Sequence, residues 1–436
     1  MNGNGLALVP KWYTVAQVAS LLVVAVTRRH NGECSIYPNR NGFAAYAWIT
    51  TLAGRRQRKY VYGKTREVVH TKWVQLTREA TRGPVLTKVP TVGQFLQRWL
   101  DETVAPNLAP LTHATYESHV RHYIEPALGG VRLDRLRVSD VQSWLNRLPA
   151  ICQCCAQGKD ARRADGKARC CAAGRCCHSN PSPRTVKDVR AVLRSALSAA
   201  MRDELVERNV AELVTTPKQR KRKVVPWTSE EARRFLESAR SDADGLYAAY
   251  VLVLVLGMRK GEVLGLRWGA VDFDHRELIV DHQLQRVRRQ LLYRETKTEA
   301  SDDSLPLPDI ACTALRLRIS QQESARERAR EAWRVFEDPQ GEPVDLVFTG
   351  RYGTPIDPRT FNRAFTARCD LAEVRRLTVH DARRTCATLL VDLDVHPRVI
   401  MRILRHADQG VTMKIYAKAS SDKTREALRR LGDSLD

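Results

Sequence analysis

Four separated segments in the C-terminal half of the chain carry arginine, lysine, histidine and tyrosine at recognisable spacings. LGMRKGEVLGLRW (256–268) is an apolar run that turns at Gly257 and presents Arg259 together with Glu262. RETKTEASDDSLPL (294–307) reads as two strand-like runs around a turn, with Lys297 near its edge. LTVHDARRTCATLL (377–390) sets His380 and Arg383 three apart, so that both fall on one helix face. ILRHADQGVTMKIYA (403–417) supplies His406 and, ten residues on, Tyr416. Singly, each motif is ordinary: a lone arginine is usually surface, and a tyrosine near a C-terminus is usually packing. As a set they offer forked guanidinium donors for an oxyanion, groups that can move protons, and a phenol that can serve as a nucleophile.

A second concentration of reactive side chains lies earlier. Residues 152–178, CQCCAQGKDARRADGKARCCAAGRCCH, hold seven of the chain's 11 cysteines. Cys152 and Cys155 form a C-x-x-C pair, Cys171 and Cys176 are spaced by four, and four thiolates are a common structural zinc shell. The doublets at 154/155, 170/171 and 176/177, with His178, leave several ligand sets open. Packing does not account for such density, because the sequence between the cysteines is polar and charged. Expected here is a structural zinc that staples or shapes its domain, with Lys159, Arg162 and Arg163 near nucleic acid.

Composition bounds the partners. Against 49 Asp and Glu stand 72 Lys and Arg, a formal charge of +23 over 436 residues, which concentrates polyanions around the molecule. At 43% hydrophobic and 28% charged, the chain describes a water-soluble globular protein of two or three domains. The apolar run from Val15 to Val26 is interrupted by Gln17 and Ser20 and is too short to span a bilayer, so no membrane is expected and the location is cytoplasmic. There thiols stay reduced, which favours metal over disulfides.

The elements that must position these groups follow from periodicity. After an N-terminal extension (1–30), ECSIYP, GFAAYAWITT and QRKYVYG read as three short strands and Lys64 to Ala80 as a helix, making a small module over 31–85. Its Arg55, Arg56, Arg58 and Lys59 lie close to Tyr60 and Tyr62, a basic and aromatic ribbon suited to a DNA groove. From 90 to 217, four stretches place apolar residues three and four apart, and Ser182 and Thr185 mark a helix start. The Cys-rich segment interrupts this helical domain between its third and fourth helices. Five of the six residues 218–223 are basic and prolines 217 and 226 flank them, so 218–226 reads as an extended linker that phosphates would attract. Residues 227–436 form a third, mostly helical unit with strand-like VDFDHRELIV and QLLYRETK.

Taken in order, Arg259, Lys297, His380, Arg383, His406 and Tyr416 resemble the catalytic set of the tyrosine recombinase (phage integrase) family, of the actinobacterial integrative-element type. LGMRKGEVLGLRW is similar to that family's first arginine box, VHDARRTCATLL to its second, and LRHADQGVTMKIYA to its third box running into the nucleophile. The likeness covers the C-terminal 200 residues. The helical domain before them resembles the family's core-DNA-binding domain, and the N-terminal strands its arm-site-binding domain. The resemblance implies a mainly α fold with small β elements (α+β) comprising a three-stranded sheet plus helix, a helical core-binding domain and a mostly helical catalytic domain.

It also implies an enzyme: a site-specific integrase that cleaves and rejoins DNA without ATP, through a 3′-phosphotyrosine at Tyr416 and a Holliday junction. In that scheme Arg259 and Arg383 hold the phosphate, His406 adds a donor, Lys297 protonates the leaving 5′-oxygen and His380 manages the proton of Tyr416. A phenol of pKa about 10 needs such help at neutral pH. Glu262 would orient Arg259. Catalysis asks for no cofactor. The implied partners are double-stranded DNA at core and arm attachment sites, three further copies of the chain in a homotetramer on DNA, and an excisionase or host DNA-bending factor. Such a protein is nucleoid-associated when bound. Two residues depart from the family pattern: Arg405 stands where glycine is usual, and Ala382 where leucine is. Residues 421–433 look like a further helix, which in the family docks on a neighbouring protomer. The rival readings are a recombinase-derived regulator that no longer cuts, and a type IB-like topoisomerase.

Overall fold

The computed structural model describes residues 36–51, 54–83, 89–164, 166–217, 224–296 and 304–405, with single positions at Met413 and Arg429. They pack as two compact units. One contains the described residues of 1–95 with Leu128–Arg137 and Ser198–Asn209; the other contains Leu96–Ala127, Val138–Leu197 and the described residues from Val210 onward.

In the first unit β1 (Tyr37–Asn39), β2 (Gly42–Thr50) and β3 (Arg56–Gly63) form an antiparallel sheet in sequential order, packed against α1 (Arg66–Arg82). The strand period of two decides the faces. Ala47 and Ile49 are buried with Leu76, and Trp73 reaches from α1 to donate its indole N–H to the Tyr46 carbonyl at 3.0 Å. On the opposite face Trp48, Tyr60 and Tyr62 are exposed. The Arg58 guanidinium lies over both Tyr46 (4.8 Å) and Trp48 (4.9 Å), and Arg56 also covers Trp48. The expected three strands and helix are therefore present, with the aromatic and basic ribbon facing outward. Thr65 caps α1 by accepting from the Val68 amide, so the helix starts at Arg66, two residues after the expected Lys64.

Helices α2 (Val92–Trp99), α3 (Pro110–His119), α4 (Val138–Arg147) and α5 (Pro183–Arg202) match the four periodic stretches. The first two run on through single widened π turns, Leu100–Val104 and Val120–Ile124, that the apolar spacing does not announce. Ser182 accepts from the Thr185 amide at the start of α5, as its position predicts. The Cys-rich segment occupies the connection between α4 and α5.

The region from Trp227 onward centres on α6 (Ser229–Ser241) and the fully buried α7 (Tyr247–Leu254). Trp227, Phe235, Tyr250 and Phe365 interlock there with ring centroids 5.0–5.9 Å apart. Around them lie α8 (Lys260–Leu264), α9 (Asp309–Ala329), α10 (Pro358–Leu371), α11 (Val379–Asp392) and α12 (Pro397–Leu404). Three small sheets flank the helices, one of them the short pair Phe336–Glu337 and Pro343–Val344. β4 (Val271–Asp272), β5 (Glu277–Ile279) and β8 (Ser304–Pro306) form a second, and the hairpin β6 (His282–Val287) with β7 (Gln290–Glu295) forms the third. The two strand-like runs of 294–307 thus pair in different sheets. The fold is α+β, mainly helical. No helix among the described residues is long and apolar enough to cross a membrane.

Candidate active site

The first arginine is placed by a turn that only glycine fits. Gly257 has φ +59°, and a Cβ there would stand 2.3 Å from Leu404 Cδ2 and 3.3 Å from Cys386 Sγ. The chain then enters α8 with Arg259 as its N-cap. Glu262, one turn on, accepts from the Arg259 amide at 2.8 Å and from its Nη1 at 2.6 Å. The other branch of the guanidinium, Nη2, donates to the Arg405 carbonyl at 3.0 Å. With 46% of its side chain exposed, Arg259 keeps a face to the cleft.

The second arginine and the histidine come from α11, which Thr378 caps by accepting from the Asp381 amide. Arg383 is 4% exposed, and its Nη1 and Nη2 donate to the carbonyls of Gly257 and Leu404, which fixes the plane of the guanidinium. Burial, and then the nearby Arg259, push its pKa down to about 10, so the group is still a cation at neutral pH. Burial likewise lowers the His380 pKa, followed by Arg384, with Arg383 and Arg259 acting the same way against the opposing Asp381. Its imidazole is therefore neutral near pH 7 and able to accept a proton.

Arg259, His380 and Arg383 line one cleft of ≈ 440 Å³, together with Lys260, Asn362 and Thr378. Three of the six residues singled out from sequence thus converge. Lys297, His406 and Tyr416 lie outside the described residues, as do residues 218–223 of the basic linker and nearly all of the C-terminal segment 421–433. Lys260 is a cleft residue that sequence reasoning passed over. Its ammonium donates to Asn362 Oδ1 at 3.1 Å, and burial lowers its pKa. The available signal was its position beside Arg259 at a helix start.

Arg405 turns inward. It ends α12 in the left-handed conformation (φ 51°), which accounts for a glycine at this place in the family pattern. Its side chain is buried, with Nη2 2.5 Å from Glu262 Oε2, so it meets a carboxylate and does not face a phosphate. Glu262, 3% exposed, lies between two arginines; although burial pushes its pKa up, Arg405 and then Arg259 hold the carboxyl below its ordinary range. Ala382, the other departure, is fully buried in the core.

In the Cys-rich segment the Sγ atoms of Cys152, Cys155, Cys170 and Cys176 all lie within 4.8 Å of one another, and those of Cys154, Cys170 and Cys177 form a second such group. The C-x-x-C pair takes part as expected, but Cys170 and not Cys171 completes the first set. Cys171 is exposed and belongs to neither group. The reason is the fold of the insertion. The buried Asp160 carboxylate accepts from the amides of Arg169, Cys170 and Ala172, which folds the doublet with Cys170 inward. Arg163 is spent on Asp160 at 3.2 Å.

An α+β region that brings two arginines and a neutral histidine to one cleft has the groups to hold an oxyanion and to accept a proton. Residues 227–423 match the phage integrase family, and residues 91–148 match the phage integrase N-terminal SAM-like domain. The tyrosine recombinase XerC-like protein of Caldanaerobacter subterraneus subsp. tengcongensis is 24% identical over 415 residues, spanning 90% of this chain and 97% of its own. The Streptomyces ambofaciens integrase is 26% identical over 388 residues, 85% of this chain and 89% of its own. The fold is similar to that of the Tn1549 transposon integrase solved in complex with transposon right end DNA. The TM-score is 0.60 at 21% identity, covering 78% of this chain and 99% of that one. The chain belongs to the phage integrase family of tyrosine recombinases, site-specific enzymes that cleave and rejoin DNA.

Proposed function

We propose that the protein is the integrase of a phage or integrative element and that Arg259, Lys297, His380, Arg383, His406 and Tyr416 form its catalytic set. The Tyr416 oxygen attacks a backbone phosphorus while the P–O5′ bond breaks, leaving a 3′-phosphotyrosine and a free 5′-hydroxyl. His380 takes the phenolic proton, and Lys297 supplies one to the departing 5′-oxygen. Arg259 and Arg383 face the non-bridging oxygens, with His406 as a further donor, and hold the charge of the pentacoordinate state. The ester conserves the energy of the broken bond, so attack by the 5′-hydroxyl of a partner duplex rejoins the strands without ATP. Two rounds separated by a Holliday junction complete an exchange in a homotetramer on DNA.

The observation that carries this reading is the convergence of Arg259, His380 and Arg383 on one cleft beside the carbonyl-fixed turn at Gly257. In the same reading residues 31–85 bind arm sites, 90–217 clamp the core site, 218–226 lie along phosphates and 227–436 catalyse. An excisionase or a host DNA-bending factor sets direction, and the protein works in the cytoplasm on the nucleoid. The Cys-rich segment holds structural zinc, which the clustering of its thiols supports.

A nicked suicide duplex bearing the attachment site traps the intermediate. The wild-type chain is expected to yield a covalent protein–DNA adduct, and Tyr416→Phe none. Binding without an adduct would instead favour the silent regulator, and relaxation of one duplex without site pairing would favour the topoisomerase.

A further inference from the structure

We infer that the Cys-rich insertion is a binuclear zinc–thiolate cluster in which Cys152 and Cys170 each bridge two ions. This rests on the reading of the segment as a zinc site and adds its stoichiometry and ligand set. Two tetrahedral ions that share an edge need eight ligand positions, and six thiols fill them when two are counted twice. Six thiols fall in the two groups: Cys152, Cys155, Cys170 and Cys176 in one, Cys154, Cys170 and Cys177 in the other.

Cys170 belongs to both groups, and Cys152 of the first reaches Cys177 of the second at 3.8 Å. The distance from Cys152 Sγ to Cys170 Sγ is also 3.8 Å. A tetrahedron with metal–sulfur bonds of about 2.3 Å has sulfur–sulfur edges of about 3.8 Å. The two thiols that fit the bridging role are among the buried ones, while Cys176 and Cys177, terminal ligands in this scheme, are exposed.

The surroundings suit an anionic metal cluster. Backbone amides donate into sulfur, from Cys177 to Cys170 Sγ at 3.1 Å and from His178 to Cys176 Sγ at 3.3 Å, which favours thiolates. Six thiolates around two divalent ions leave a net charge of −2, and Lys159, Arg162, Arg163, Lys167, Arg169 and Arg175 lie in the same stretch. Among the described residues of the insertion the buried cluster consists of Cys152, Cys154 and Cys170, with Cys155 packed against them. A loop whose buried cluster is cysteine needs a cross-link to hold one shape, and metal binding supplies folding free energy of that kind. An all-sulfur set of this kind favours zinc among divalent metals.

The test is metal content of the full-length chain, prepared under reducing conditions without chelator and measured by elemental analysis and native mass spectrometry. Two zinc ions per chain are expected. Cys154→Ser should hold one, Cys170→Ser should hold none, and Cys171→Ser should hold two. One ion in the wild-type chain, or one retained by Cys170→Ser, would overturn the shared cluster while leaving a zinc site in place. Absence of zinc from the wild-type chain, or iron in its stead, would overturn the zinc reading as well.

Discussion

At the scale of single residues, the site is a balance of buried charge. Glu262 is the one carboxylate between Arg259 and Arg405, and its removal leaves the Arg405 guanidinium buried without a counter-charge. Glu262→Gln should therefore destabilise the chain by about 3–5 kcal/mol, read as a lowered urea midpoint. Arg405→Gly in that background should recover part of the loss, because glycine suits the left-handed cap and no unpaired charge is left behind. Arg259→Lys keeps the charge but loses the fork that spans Glu262 and the Arg405 carbonyl. Adduct formation in a single turnover should fall roughly 100-fold with DNA binding retained. The pH dependence follows from the direction of the His380 shift. Its pKa lies below the ordinary value of about 6.5, so the proton-accepting form persists at that pH and the acidic limb of cleavage falls below it. A pH profile of adduct formation checks this; a limb above 6.5 would remove His380 from the role of base.

At the scale of elements, Arg383 of α11 ties the turn before α8 to the end of α12 through the carbonyls of Gly257 and Leu404. Gly257→Ala places a Cβ against Leu404 in a strained conformation. It should cost more than about 1 kcal/mol and slow adduct formation, whereas the sheet of β1, β2 and β3 should keep its melting behaviour. The strands, the four helices and the start of α5 were legible because their signals are local: alternation, three-four spacing and a serine cap. The widened turns in α2 and α3 were not, since a π turn adds one residue without breaking the apolar pattern. The pairing of β7 and β8 in different sheets was equally hidden, because strand partners are chosen by packing over distance.

For the whole molecule, the excess of 72 basic over 49 acidic residues makes DNA binding steeply salt-dependent. The outward ribbon of β2 and β3 is one place where that charge meets aromatic faces, with Arg56 and Arg58 on Trp48. Replacing both arginines with alanine should weaken binding to an arm-site duplex and flatten the logarithmic salt dependence by roughly one unit for each phosphate no longer neutralised. Cleavage of a suicide duplex carrying only the core site should be unchanged. A titration of affinity against salt for both duplexes separates the two outcomes.

The sequence by itself determined the chemistry on offer: which residues can hold an oxyanion, that His380 and Arg383 share a helix face, and that the cysteines are too dense for packing. These are properties of residue type and short spacing, which the chain carries before it folds. Tertiary structure alone decided which way the side chains face. It turned Arg405 onto Glu262, 143 residues away, and brought Lys260 into the cleft. It also chose Cys170 over its neighbour Cys171 through the amides that Asp160 gathers. Adjacent residues have the same local signature, and only burial against distant groups separates a ligand or an ion-pair partner from an exposed side chain.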